Sequence, residues 1–107
     1  MSKEKGSKEK SPEFYESADA FIALANDLAK KINPGNVSAS FLYAAARFNT
    51  FIAASGANDA EEFKRQQRQS KAYFLDEYEK MLNEHFADYL ENYETYLSAK
   101  QHGGRLN

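Results

Sequence analysis

The chain has 107 residues and a formal net charge of -2, which bounds it to one domain with a modest core and argues against a general nucleic-acid binder, which carries a basic excess. It has no cysteine, so disulfides, thiol catalysis and thiolate metal sites are excluded. Fifteen Phe and Tyr outnumber the twelve Leu, Ile and Val, beside sixteen Ala; rings packed on alanine faces are the expected core.

Residues 1–10 hold no apolar side chain after Met1 and read as a disordered tail. They lack the apolar stretch of a signal peptide, and a cytoplasmic location is expected. Ser11-Pro12 reads as an N-cap followed by proline at the first helical position. Phe14, Ala18, Phe21, Ile22, Ala25, Leu28, Ala29 and Ile32 then recur at helical spacing. Asn33-Pro34-Gly35-Asn36 stops this first helix.

The second helix is expected from a cap at Ser38, with Val37 just outside as a staple, to Gly56. Between Lys31 and Asp59 the only charge is Arg47. A helix this apolar all round must be enclosed by neighbours, and enlarging Ala45 or Ala46 should overpack it. Polar interruptions at Arg47 and Asn49 and the high alanine content argue against a membrane span. Asp59 and Glu62 form a capping-box pattern, and no Gly or Pro follows until Gly103. The run to Gln101 is too long for a compact domain of this size, so it stays long or kinks, with Asn83-Glu84-His85 as the expected kink. The domain is 11–101, and 102–107 is a flexible tail.

Arg47 is the first candidate site. Such an isolated charge calls for a carboxylate from another helix, such as Asp19, Asp27 or Glu77, the first two favoured. The alternative is an anion-binding guanidinium in a cleft, with Tyr43 and Thr50 on its face and Asn49 satisfying a backbone group nearby. His85 lacks the Glu-x-x-His spacing of a helical metal site, so no metal is expected. Lys64, Arg65, Arg68 and Lys71 form an acid-free cluster, while residues 76–94 hold seven acids and one lysine. A charge-segregated helix of this kind suits an antiparallel copy of itself. The apolar stripe of Tyr78, Leu82, Phe86, Tyr89, Tyr93 and Tyr96 is the expected interface. There is no phosphate-cradling glycine loop and no catalytic constellation, and neither an enzyme nor a cofactor is expected.

The phrases FYESADAFIALAN at 14–26 and VSASFLYAAARFN at 37–49 resemble a small family of Gram-negative bacterial all-helical proteins. YFLDEYEKMLNEHFADYLENYE at 73–94 adds to the likeness. The resemblance implies a cytoplasmic helical protein and transfers no catalytic residue.

Together these features predict an all-α protein: a compact antiparallel bundle of three to four helices, the Ala-rich second helix central and the last one long or kinked. The expected function is that of a non-catalytic interaction protein, homodimeric through its C-terminal helix. A small-ligand or anion-binding protein centred on Arg47 is the alternative, and an RNA-binding accessory protein comes third.

Overall fold

The computed structural model describes residues 10–101, with side chains to Ser98; the expected tails at 1–10 and 102–107 lie outside the described residues, Lys10 excepted. The fold is all-α. Four helices account for it, with no strand among the described residues: α1 Pro12–Ala29, α2 Pro34–Ser55, α3 Ala60–Glu91 and α4 Tyr93–Gln101. The chain divides into two units, one ending at Ala39 and the other beginning at Ser40.

In the first unit, the Ser11 Oγ accepts the Phe14 N–H at 3.1 Å and Pro12 occupies the first turn, as the Ser-Pro pair predicts. α1 closes where the N–H groups of Lys31 and Ile32 both donate to the Leu28 carbonyl, at 2.9 and 3.0 Å. The start of α2 differs from the sequence expectation. Asn33, not Ser38, caps it. Its Oδ1 accepts the N–H of Gly35 at 2.7 Å and of Asn36 at 3.3 Å, while its carbonyl accepts the N–H of Val37 at 3.0 Å. Pro34 therefore opens the helix rather than barring it, because the first helical position needs no N–H donor. A Cβ on Gly35 would come within 3.0 Å of the capping Oδ1, so a residue this small suits the first turn. Val37, expected outside the helix, lies in its first turn and is 5% exposed; Asn26, at 8%, is the other buried residue among those described.

In the second unit, α2 ends as expected. The Gly56 N–H donates to the carbonyls of Ile52 and Ala53 at 3.2 and 3.3 Å. Asp59 caps α3 from extended backbone, its Oδ1 accepting the Glu62 N–H at 2.9 Å. Glu62 reaches back to the Asn58 N–H at 2.7 Å, so the reciprocal box closes one residue earlier than its usual form. α3 then runs unbroken for 32 residues, about 48 Å. It passes straight through Asn83-Glu84-His85; the break falls at Asn92 instead. There the backbone leaves helical geometry (φ -113°, ψ 27°), and the Asn92 Nδ2 donates to the Asp88 carbonyl and carboxylate at 3.0 and 2.9 Å. An Asn side chain that competes for its own helix's backbone groups ends a helix without Gly or Pro.

The Ala-rich stretch forms the body of α2, yet Leu42, Tyr43, Phe48 and Phe51 along it are exposed. The second unit by itself does not enclose this helix. Ala45 and Ala46 are likewise exposed, so overpacking within the single chain is no longer expected of larger residues there. The caps, by contrast, are fully local. Asp59→Ala should lower unfolding free energy by about 1 kcal/mol, the usual worth of an N-cap, measured by urea denaturation followed by circular dichroism; an unchanged midpoint would count against the cap.

Candidate functional site

Arg47 sits in mid-α2 with its side chain exposed. Its guanidinium carbon lies 5.4 Å from the centroid of the Tyr43 ring one turn earlier, an exposed cation–π contact. It makes no ion pair among the described residues. Within its own unit Arg47 is not enclosed and Glu77 bridges to Lys80 at 3.3 Å; Asp19 and Asp27 belong to the other unit, where Asp27 bridges along its own helix to Lys30 at 3.6 Å. An arginine on an Ala-rich helix keeps its head in water by extending its long stem along the surface. Asn49 is half-buried, and the Thr50 hydroxyl donates to the Ala46 carbonyl at 2.8 Å, leaving it no spare proton for a ligand.

Within the second unit, α2 and α3 line a groove of about 720 Å³. Leu42, Ala45, Asn49, Phe63, Phe74 and Tyr78 give it mostly apolar walls, and Lys64 and Lys71 are its charged members. Arg47 and Tyr43 are not among its lining residues, so the guanidinium does not head this cleft.

The second cluster is the corner between α3 and α4, which are in contact. The Tyr96 hydroxyl donates to both oxygens of the Asp88 carboxylate, at 3.2 and 3.1 Å. Its ring lies 4.7 Å from that of Tyr89, tilted by 55°. Asp88 thus holds Asn92 and Tyr96 together, and its bond to the phenol raises the Tyr96 pKa above the ordinary value of 10.0, with burial and the carboxylate's charge adding to it. Sequence reasoning missed Asp88 and Asn92. The available signal was their i, i+4 spacing ahead of the last tyrosine pair.

Of the six residues of the expected interface stripe, Tyr78 lines the α2–α3 groove. Tyr89 and Tyr96 face each other across the corner. Leu82 is 37% exposed, whereas Phe86 at 72% and Tyr93 at 56% stand well out from the surface. Leu90, absent from the stripe as read from sequence, is 82% exposed. Among the described residues, no three His, Cys, Asp or Glu side chains gather as a metal ion requires, and His85 is exposed. No helix is long and apolar enough to cross a membrane.

These features define an all-helical protein with an apolar groove, a closed α3–α4 corner and exposed rings. The chain belongs to the family described as "Protein of unknown function (DUF3144)", whose model matches residues 14–90. Comparison with curated proteins and with solved structures gave no match.

Two measurements check this geometry. Arg47→Ala should change stability by no more than about 0.5 kcal/mol, as for other surface substitutions; a loss of several kcal/mol would mean that the group is buried in solution. The Tyr96–Asp88 bond needs the phenolic proton. Its stabilisation is fully present below pH about 10, the unfolded phenol's pKa, and is lost as pH rises through the higher folded value. The difference in melting temperature between parent and Tyr96→Phe should therefore shrink in alkali. A difference constant to pH 12 would contradict the bond.

Proposed function

We propose that this chain is a non-catalytic interaction protein of the bacterial cytoplasm that acts as a homodimer. The observation that carries the reading is the exposure of large apolar side chains on the second unit. Tyr43, Phe48, Phe51, Tyr73, Phe86 and Tyr93 are each more than half exposed. At roughly 150–250 Å² per ring, they offer about 600–900 Å², comparable to the ~800 Å² per partner of a standard interface. Monomers do not keep so much apolar surface in water without a use for it.

The C-terminal part of α3 and the start of α4 supply the most exposed members, Phe86, Leu90 and Tyr93, and are taken as part of the contact. A non-catalytic role fits a described surface rich in exposed apolar rings. The cytoplasm fits a cysteine-free chain, and the bacterial assignment rests on the three sequence phrases.

Sedimentation equilibrium at micromolar concentration should give about twice the chain mass of 12.1 kDa. Phe86→Glu with Leu90→Glu should give the monomer mass while keeping the helical spectrum. A parent protein that sediments as a single 12.1 kDa species would end this reading.

A further inference from the structure

Between Arg65 and Glu79, α3 carries a charge pattern that is antisymmetric about one residue; Glu61, exposed on the same face one turn before Arg65, lies outside the pattern, with Asn83 at its symmetric position. Counting from Ala72, Arg68 lies four residues before and Asp76 four after; Arg65 lies seven before and Glu79 seven after. Spacings of three, four, four and three place Arg65, Arg68, Ala72, Asp76 and Glu79 on one face of the helix. All five are exposed, and none of them lines the α2–α3 groove. The face therefore points elsewhere than the side that α3 turns toward α2.

Within one chain Arg65 has Glu61 and Glu62 one turn before it and Asp76 has Lys80 one turn after it, whereas Arg68 and Glu79 have no opposite charge one turn away. The residues one turn from Arg68 are Lys64, Arg65, Lys71 and Ala72, three of them cations. Those one turn from Glu79 are Leu75, Asp76, Leu82 and Asn83, with a like charge and no cation. Like charges at these spacings destabilise a helix, and opposite ones stabilise it. Arg65, Arg68 and Glu79 make no ion pair among the described residues. Asp76 bridges only to Lys80, at 3.3 Å, with both side chains well exposed.

We infer that a second copy of the chain docks antiparallel on this face of α3, with the twofold axis passing at Ala72. The inference rests on the homodimer reading above and adds to it the surface and the register. A twofold axis there sets Arg68 against the second copy's Asp76 and Arg65 against the second copy's Glu79, and symmetry repeats both pairs. Every cation on the face then meets a carboxylate. Ala72 at the axis allows the close approach of two helices at about 8–10 Å. Leu75, 63% exposed at the border between this face and the α2–α3 groove that it also lines, supplies apolar contact at the edge of the seam.

The register also fixes how far the helices overlap. Ala60 lies opposite Glu84 of the second copy, so the last two turns of α3 extend past the start of its mate. Phe86 and Leu90, fourteen and eighteen residues beyond Ala72, share the docking face and lie on that overhang. There they reach the second copy's α2–α3 turn, around Ala57, instead of water. The most exposed apolar residues of the chain are thus accounted for by the same axis that pairs the charges.

The test is a charge-swap complementation by sedimentation velocity. One protein carries Arg65→Glu and Arg68→Glu, a second Asp76→Arg and Glu79→Arg, and a third all four substitutions, which restores the net charge. The expected result is a monomer for each two-substitution protein under conditions where the parent is dimeric. An equimolar mixture of the two should be a heterodimer, and the four-substitution protein a parent-like dimer. Circular dichroism follows folding, and helicity that appears only on mixing also supports the proposal. If the two-substitution proteins dimerise like the parent, or if their mixture stays monomeric or unfolded, the register is overturned while the homodimer reading stands. A monomeric parent overturns both.

Discussion

The structure depends on one imbalance: the helices of its second unit carry more apolar surface than that unit covers by itself. α2 shows it most plainly. Its 22 residues include one charge, Arg47, and a helix of this composition has no polar face to offer water. Yet Leu42, Tyr43, Phe48, Phe51 and Ile52 are all at least half exposed, and Val37 and Asn26 are the buried residues among those described. Hydrophobic burial is the main favourable term in folding. A unit that realises so little of it by itself gains stability from whatever covers these faces, and association is one way to cover them.

The helix boundaries rest on chemistry of a different kind, which does not depend on a partner. Ser11, Asn33 and Asp59 each satisfy backbone N–H groups that a helix start leaves open, and the Asp88–Asn92–Tyr96 cluster organises the turn between α3 and α4. These are short-range bonds among residues two to eight apart in sequence. They persist whether or not the apolar faces are covered.

That division explains what could be read from the residues alone. The all-α class, the caps at Ser11 and Asp59 and the stop at Gly56 are local and were legible. The start of α2 was misread because Asn-Pro-Gly-Asn carries turn residues, and the same four residues serve equally as a cap and a first turn when Asn33 turns its side chain onto Gly35 and Asn36. The break at Asn92 was missed for a related reason: its cause is one side chain competing for the Asp88 carbonyl, which no hydrophobic period reports. Arg47 failed differently. Its isolation in the sequence implied enclosure, but enclosure is a tertiary property. Within its unit the guanidinium lies exposed over the Tyr43 ring.

α3 joins the two kinds of chemistry. Its groove side carries Phe63, Phe74 and Tyr78 toward α2, while the opposed charges about Ala72 occupy another face. Apolar surface alone would let such helices associate in many registers, since burial is non-directional. Charge supplies what burial lacks, because a slide of one turn moves Arg68 away from Asp76 of the second copy and onto Ala72 or Lys80. In the proposed dimer, Phe86 and Leu90 drive association and the arginines and carboxylates select one arrangement of it, contributing more to register than to affinity. The same division of labour makes the acid-free stretch from Lys64 to Lys71 intelligible. It is a poor design for an isolated helix and a workable one for half of a pair.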